Sequence, residues 1–432
     1  MRLLSCCVLL VAVVSPAFGL AEICSRCKCY PRDKPITVFC YCNEDFQRLT
    51  LSPGHLREIP TVKKFSISFC QSAEFLKNSF AEAHDLVALN IEQVENVTIQ
   101  MGVFSALQLL SVDNVANLRL EKRAFMGVDE MRNLIIRGTH MTEIPEHALY
   151  DIKNLYSAEL SDVIIDNVRS NAVRLQMDEG YPMIIDNCTI NNIEENGLVL
   201  MPARDFRLSK TNLLAVAKNG INITSQGSIV VSENYIGANM SEDAVHITGL
   251  AINMTGNTIE HVPRNFLSNI HGPLSFTKNT LLQADIDISD MGSLFMANST
   301  GNRLPCLCSQ KSTMSYLSLA EPMTSSLERN FCIAPCTVSL LHYPERCSSA
   351  VSVEDDIMGT HLCEPETTTT TTTTITTTPT IVSTRRTGRD LYPHSSTTHS
   401  PLVTPASRLS GAIQMSGYIS LILTMVAALL LR

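Results

Sequence analysis

One short pattern recurs every 20 to 25 residues through most of this 432-residue chain. It consists of an apolar residue, a gap, a second apolar residue and, three places later, Val, Thr, Cys or Asn. A unit this short cannot bury its own apolar face and must stack on its neighbours. The period therefore predicts a β-rich solenoid of about ten stacked repeats. The second apolar residue falls at Ile91, Val112, Ile136, Leu160, Ile185, Leu208, Val231, Met254, Phe276 and Met296.

Several motifs resemble those of extracellular leucine-rich repeat proteins. The spacing LxxLxL begins at Leu86 and again at Leu107, and the cysteines that start at Cys24 resemble the N-terminal cap of that family. A CxC motif at Cys306 opens a segment that resembles the C-terminal cap. The resemblance implies a horseshoe of about ten repeats with disulfide caps, because a solenoid must cover its end units.

The family also implies a pairing for the first six cysteines. Cys24 would join Cys29 and Cys27 would join Cys40, which leaves Cys42 to join Cys70, although connectivity remains open at the level of sequence.

In leucine-rich repeats, the third position after the second apolar residue is buried, and its side chain satisfies backbone groups at a turn. Cys188 occupies that position, so the resemblance implies a buried ladder residue rather than a reactive thiol. The full set is Val94, Val115, Thr139, Val163, Cys188, Thr211, Asn234, Asn257, Asn279 and Ser299.

The pattern departs from that family after about residue 165, where the leading Leu of each unit disappears. Gly180, Ala203 and Gln226 stand in its place, and the segments around Asn234 and Asn257 look equally like coils of a β-helix. A right-handed parallel β-helix over residues 165–300 is therefore the alternative fold.

The first nineteen residues predict a secretory signal peptide, with an apolar run that ends in Ala17-Phe18-Gly19. Secretion and an even number of cysteines near each end indicate disulfides rather than a metal site. The disulfide candidates are Cys24, Cys27, Cys29, Cys40, Cys42, Cys70, Cys306, Cys308, Cys332, Cys336, Cys347 and Cys363.

The C-terminal region predicts a stalk and a membrane anchor. A run rich in Thr has little to bury and indicates an extended, O-glycosylated stalk. Tyr418 to Leu431 carries no charge but is shorter than the ~20 residues of a spanning helix, and small residues from Ser410 fit a GPI attachment site. A single transmembrane helix is the alternative, and Arg386-Thr-Gly-Arg389 suggests a cleavage site for shedding.

These features divide the chain into six parts. We predict a signal peptide at 1–19, an N-terminal cysteine cap with the first repeat at 20–80, leucine-rich-like repeats at 81–300, a C-terminal cysteine cap at 301–363, a Thr-rich stalk at 364–409 and a GPI-anchor signal at 410–432.

No motif in the sequence predicts catalysis, a cofactor or a metal. In the run from Asp285 to Asp290, Asp285 and Asp287 could share a strand face, but no matching carboxylates recur on neighbouring repeats, so the predicted role is solvation. The formal charge of −9 argues against a nucleic-acid partner. We therefore expect no enzyme.

The outward residues of the first repeats carry most of the charge of the predicted sheet. They predict a partner-binding face around Asp113, Arg137, Glu159 and Arg207. Glycosylation sequons occur at Asn96, Asn187, Asn222, Asn239, Asn253 and Asn298. The predicted register places Asn253 on this sheet, Asn187 and Asn298 at its margin, Asn222 and Asn239 on the opposite side, and Asn96 facing inward.

The sequence as a whole predicts a GPI-anchored cell-surface protein that binds another extracellular or transmembrane protein, as an adhesion molecule or co-receptor. A surface-anchored β-helix enzyme acting on glycans and a structural coat protein are the alternatives.

Overall fold

The chain winds into a parallel β-solenoid, seen in a computed structural model that describes residues 22–128, 130–178, 180–284, 298–306, 321–333 and 337–348. All of these residues belong to one unit, Met1–Thr367. The predicted signal peptide, stalk and anchor signal lie outside the described residues, as do Asp285, Asp287, Asp290, Arg386, Arg389 and Ser410. Within the described part, no helix has both the length and the apolarity needed to cross a bilayer.

The described strands are short, and the helices Glu22–Arg26, Glu321–Glu328 and Tyr343–Ser348 lie near the two ends of the described chain. The first strands are β1 (Lys28–Tyr30), β2 (Thr37–Tyr41), β3 (Arg48–Leu51), β4 (Lys64–Ser68), β5 (Ser72–Phe75), β6 (Ala88–Glu92), β7 (Asn96–Ile99), β8 (Leu109–Asp113), β9 (Asn117–Leu120), β10 (Asn133–Arg137) and β11 (His140–Ile144). The next are β12 (Leu149–Leu155), β13 (Ser157–Ser161), β14 (Ile164–Val168), β15 (Val173–Met177), β16 (Met183–Asp186), β17 (Thr189–Ile193), β18 (Leu198–Met201), β19 (Phe206–Ser209), β20 (Asn212–Val216), β21 (Ile221–Thr224) and β22 (Ser228–Ser232). The last are β23 (Tyr235–Met240), β24 (Val245–Thr248), β25 (Ala251–Thr255), β26 (Thr258–Val262), β27 (Ile270–His271), β28 (Leu274–Thr277), β29 (Thr280–Ala284), β30 (Asn298–Thr300), β31 (Arg303–Leu304) and β32 (Phe331–Cys332).

Three sheets run along the solenoid. Sheet A has 13 strands in the order β1-β2-β4-β6-β8-β10-β13-β16-β19-β22-β25-β28-β30. Sheet B has 13 in the order β3-β5-β7-β9-β11-β14-β17-β20-β23-β26-β29-β31-β32, and sheet C has six, β12-β15-β18-β21-β24-β27. The paired strands are parallel except β1 with β2, so each coil adds one strand to each sheet that it reaches.

Sheet A follows the apolar pattern of the sequence. Leu89 and Ile91 are buried while Asn90 and Glu92 face outward, because successive side chains of a strand point to opposite faces. Ile91 pairs with Val112 on the next strand, and the same alignment continues along the sheet. The predicted β-rich solenoid is confirmed.

The leucine-rich repeat horseshoe is not the architecture that forms. Its repeat builds one continuous sheet, whereas here sheet B runs beside sheet A from Arg48 onward and sheet C is added from Leu149. A β-helix is therefore the appropriate description, and its strands begin well before the predicted residue 165.

The change in the sequence near residue 165 has a structural cause. In coils without sheet C, the leading residues Leu86, Leu107 and Met131 are buried on the third side of the solenoid. The next leading residue, Leu155, is the last residue of β12 in sheet C, and its register partner on β15 is the buried Met177. From there on, inward residues of sheet C, such as Val173 and Leu175, provide the buried surface.

A stack of phenylalanine rings fills the core of the first coils. Phe80 and Phe104 are 5.4 Å apart between ring centroids, and Phe104 and Phe125 are 5.5 Å apart. Each such pair contributes about 0.5–1.5 kcal/mol beyond the burial of its surface. Leu149, the next residue in this series, begins the first strand of sheet C, so the stack ends where that sheet starts.

A buried asparagine ladder holds the later coils together at the corner between sheets A and B. The Oδ1 atom of Asn257 accepts hydrogen bonds from the backbone N–H of Asn234 at 3.0 Å and from its Nδ2 at 2.9 Å. Nδ2 of Asn257 donates to the Val231 carbonyl at 2.9 Å and to Oδ1 of Asn279 at 2.8 Å. The ladder thus satisfies backbone groups that the turn leaves unpaired.

The last rungs of the ladder are Asn302 and Asn330, not Ser299. Ser299 pairs with Phe276 in sheet A and therefore occupies the strand position that the sequence analysis gave to Met296. Asn302 lies 23 residues after Asn279 and donates from Nδ2 to Oδ1 of Asn330 at 2.8 Å. The error was a shift of three residues in the last predicted repeat.

Cys188 is a free, buried residue of the same corner. Its backbone N–H donates to Oγ1 of Thr211 at 3.3 Å, and its Sγ donates to the Asp186 carbonyl at 3.3 Å. Burial raises the pKa of this thiol to about 11, so it remains a protonated, unreactive thiol at neutral pH.

From β4 onward, the described coils leave sheet A through one residue with positive φ. The φ values lie between 51° and 71°, a region that favours Gly, Asn and Asp. Phe69 occupies this corner in the first such coil, with φ of 61°. In the following coils the corner residues are Gln93, Asn114, Gly138, Asp162, Asn187, Lys210, Glu233, Gly256, Lys278 and Gly301.

The expectation that the cysteines form disulfides is confirmed for eight of them. The structure contains the bonds Cys24–Cys29, Cys27–Cys40, Cys42–Cys70 and Cys306–Cys332. The side chains of Cys308, Cys336, Cys347 and Cys363 lie outside the described part of the chain.

We predict that Asn257→Ala lowers the free energy of unfolding by about 3 kcal/mol or more, because two or more buried polar groups lose their partners. Asn212→Ala is the matched control, since Asn212 is exposed and makes only a 3.4 Å contact with Thr189. Urea denaturation followed by circular dichroism would measure both. Equal midpoints for the two variants would contradict the role of the ladder.

Candidate functional site

The four predicted partner-binding residues all lie on the outer face of sheet A, the face that points away from the core. Asp113 is the register partner of Arg137 on the adjacent strand. Glu159 shares a row with Ile184 and Arg207, which places Arg207 two strands from Glu159. Their partner-binding role stays a prediction.

Arg137 and Glu159 form a bidentate ion pair near the centre of this face. Nε of Arg137 donates to Oε1 of Glu159, and Nη2 donates to Oε2, both at 2.7 Å. The hydrogen bond from Arg137 holds the pKa of Glu159 below its usual range, so the carboxylate is ionised at neutral pH. The pair is partly exposed, with 46% of the Arg137 side chain and 25% of the Glu159 side chain accessible, so it contributes at most about 1 kcal/mol to stability.

An open groove of about 600 Å³ lies on the outer face next to this pair. Oγ of Ser209 donates to Oδ1 of Asp186 at 2.5 Å within it, and side chains of both charges border it. The groove is lined by Glu159, Ser161, Ile184, Asp186, Arg207, Ser209, Lys210, Val230, Ser232, Glu233 and Thr255.

The outward alternation of the sequence predicts every residue that lines this groove except Lys210 and Glu233. Asp186 and Ser209 follow the same outward alternation as Arg137 and were therefore accessible to a search by period. Lys210 and Glu233 were not, because they are corner residues with positive φ, and only the turn geometry directs them toward the sheet face.

The six sequon asparagines are all exposed, and two of them project from sheet A. Asn253 and Asn298 lie in one row, separated by Ser275. The remaining exposed sequon residues are Asn96, Asn187, Asn222 and Asn239.

Two of the predicted sequon positions are wrong. Asn96 faces outward, because Glu95 and Asn96 are both exposed at the corner after buried Val94, which resets the alternation of the next strand. Asn298 lies on the sheet itself rather than at its margin, because of the register shift in the last repeat.

The outer face of sheet B carries a second set of polar contacts. Asp166 binds Nε2 of His140 and Nδ2 of Asn191, each at 3.0 Å. Arg169 donates to Glu143 at 3.0 Å and to Glu194 at 2.9 Å. These contacts cross-link neighbouring coils.

The carboxyl groups with shifted pKa values are not suited to act as general acids. In the part of the chain that the structure describes, each such shift is downward, whereas a glycosidase acid needs a raised pKa. The causes are Lys122 for Glu146, Arg137 for Glu159, Arg169 for Glu194 and Ser228 for Asp205. The described residues also contain no cluster of His, Cys, Asp or Glu that could hold a metal ion.

Comparison with known families agrees with the observed architecture. Residues 126–281 match a family described as "Right handed beta helix region". The resemblance to leucine-rich repeat proteins is therefore wrong, and the alternative of a right-handed β-helix is the correct one. The two folds share a period and a buried polar ladder, which is why the sequence pattern favoured the wrong family. No curated protein matches the chain.

We predict that the chain carries N-glycans at both Asn253 and Asn298 when it is expressed in secretory cells. Both side chains are exposed on strands of sheet A. Glycosidase treatment followed by peptide mass spectrometry would show Asn converted to Asp at these positions. Unmodified Asn at both positions would leave the outward positions of the sheet A strands free of glycans and would contradict a glycan-covered region on the later strands.

Proposed function

We propose that this protein is a cell-surface binding protein that holds another extracellular protein on the outer face of sheet A. The observation that carries the proposal is the ion pair of Arg137 with Glu159 beside an open groove that carries both charges. Mixed charges of fixed geometry on an accessible sheet give specificity for a partner of complementary charge.

The two sequons of sheet A support a division of that face. Asn253 and Asn298 lie on its later strands, and the predicted glycans would cover that region. The sheet A strands from β2 to β19 have no sequon on their outward positions, and the nearest sequon, Asn187, lies at the corner after β16, so a partner could approach these strands. Binding at Asp113, Arg137, Glu159 and Arg207 fits this accessible part.

The location also belongs to the proposal. The signal peptide at 1–19 and the disulfides favour secretion, since disulfides persist in oxidising compartments. A GPI anchor attached near Ser410, with residues 364–409 as a stalk, would hold the solenoid above the membrane. Signalling would then require a transmembrane partner.

A glycan-acting enzyme is the second candidate, and the groove is the observation that favours it. Asp186 and Glu233 both line the groove of a solenoid in which a β-helix family matches. The ionised state of Glu159 argues against it as the acid of such a reaction.

The double variant Arg137→Glu with Glu159→Arg tests the binding role. It keeps an ion pair and therefore the fold, but it reverses the charges that a partner meets. Proximity labelling on cells that express the full chain would identify extracellular neighbours of the wild type. We expect the double variant to label such a neighbour at least about 10-fold less strongly than the wild type, which corresponds to a loss of about 1.4 kcal/mol of binding free energy.

Lys153→Glu is the control, because Lys153 is exposed on sheet C and pairs with Asp151 at 3.1 Å. Labelling that is equally strong for the double variant and the control would contradict binding on this face. If the wild type hydrolysed a glycan and Asp186→Asn abolished that activity, the result would favour the second candidate, a glycan-acting enzyme.

We predict that a phosphatidylinositol-specific phospholipase releases the GPI-anchored protein from the cell surface. The phospholipase cleaves the GPI anchor, and the acyl chains of the anchor stay in the membrane while the protein is released. Flow cytometry before and after treatment measures the release, with a known transmembrane protein as the control. Retention of the chain after release of a GPI-anchored reference protein would favour a transmembrane helix instead.

A further inference from the structure

Four aromatic residues form an exposed patch at the N-terminal end of sheet A. Tyr30 is 73% exposed, Phe39 44%, Tyr41 59% and Phe69 51%. We call these four residues the aromatic patch. Clustered exposed apolar side chains on a soluble domain mark an interaction site more often than isolated ones do.

Phe69 stands in a conformation that its side chain disfavours. Its φ of 61° belongs to the corner position that Gln93, Asn114 and Gly138 hold in the following coils. A bulky aromatic residue is an outlier in the left-handed region, where Asn and Gly are favoured. Half of the Phe69 ring is exposed, and the ring that it contacts, Tyr41, is exposed as well, so burial in the core does not account for this conformation. An unfavourable conformation at an exposed position points to a functional reason.

The corner places the Phe69 ring against Tyr41. The two ring centroids are 5.0 Å apart and the planes are tilted by 46°, so the rings form an open angle. Ser68 is the register partner of Tyr41 on the next strand, and its small side chain leaves the space beside the rings accessible.

Carboxylates follow directly along the same row of the sheet. The register runs from Tyr41 through Ser68 to Glu92 and Asp113, and the N–H of Phe69 donates to the Glu92 carbonyl at 3.3 Å. Aromatic faces attract cations, and an adjacent carboxylate adds to that attraction. The first basic residue in this row is Arg137, beyond Asp113.

We infer that the aromatic patch is the anchor for a basic segment of the protein partner, with an Arg or Lys side chain held between Tyr41, Phe69 and Glu92. The inference rests on the proposed function and names the chemistry of its partner. Lys28 and Lys64 border the patch beside Phe39 and Thr37, so the positive charge of the partner lies at the Glu92 end. Aromatic anchors surrounded by polar residues are typical of the sites that dominate binding energy.

The test uses a fluorescent octapeptide of alternating Arg and Gly and a matched peptide in which citrulline replaces Arg. Citrulline keeps the shape of Arg but has no charge. Fluorescence anisotropy with the full chain should give at least about 10-fold tighter binding of the Arg peptide to the wild type. Phe69→Asn and Tyr41→Thr should each remove most of this difference without changing the net charge of the chain.

Phe69→Asn is expected to fold, because Asn114 and Asn187 occupy the same corner with φ of 53° and 51°. Its Tm should be no lower than that of the wild type, since relief of the left-handed conformation offsets the lost ring contact. Gln93→Asn, at the next corner, is the control and should bind the Arg peptide like the wild type.

Equal binding of the Arg and citrulline peptides by the wild type, or undiminished Arg-peptide binding by Phe69→Asn, would overturn the inference. The inference would also be overturned if the wild type bound a neutral glycan and Phe69→Asn abolished that binding. None of these three results bears on the proposed function, which fails only if reversal of the Arg137–Glu159 pair leaves the labelling of partners unchanged.

Discussion

The structure depends on one constraint, the alignment of each coil on the next with the same residues facing inward. Parallel strands shifted by one residue would exchange their inner and outer faces. The corner between sheets A and B prevents such a shift, because Asn257 and its neighbours bind both the backbone and the side chain of the adjacent rung. A hydrogen bond contributes about 0.5–1.5 kcal/mol, but an unpartnered group at this depth costs more, so the ladder selects one register.

The two halves of the solenoid solve the same packing problem differently. The first coils have two sheets and fill the third side with turns, leading Leu residues and the stack from Phe80 to Phe125. The later coils replace these with sheet C. The ladder changes in the same direction, from Val94 and Val115 to the asparagines that start at Asn234. Apolar side chains thus align the earlier corners by packing, and hydrogen bonds align the later ones.

Because the inward positions carry the fold, the outward positions of sheet A are free to vary. From the N-terminal end, that face presents aromatic rings, small and acidic residues, the Arg137–Glu159 pair, the groove and then the sequon residues. One continuous sheet therefore displays surfaces of different chemistry at fixed spacing of about 4.8 Å per strand. The proposals for the Arg137–Glu159 region and for the aromatic patch use adjacent parts of this face.

The sequence by itself determined the solenoid, the alternation of sheet A and the buried positions from Val94 to Asn279, because each follows from a local period. Only the tertiary structure decided between the leucine-rich repeat and the β-helix, since the two differ in how many sheets the same coil builds. The period of the sequence did not predict the geometry of the corners between sheets either. This geometry turned Asn96 outward and brought Phe69 against Tyr41, because an extra exposed residue at a corner resets the alternation of the strand that follows.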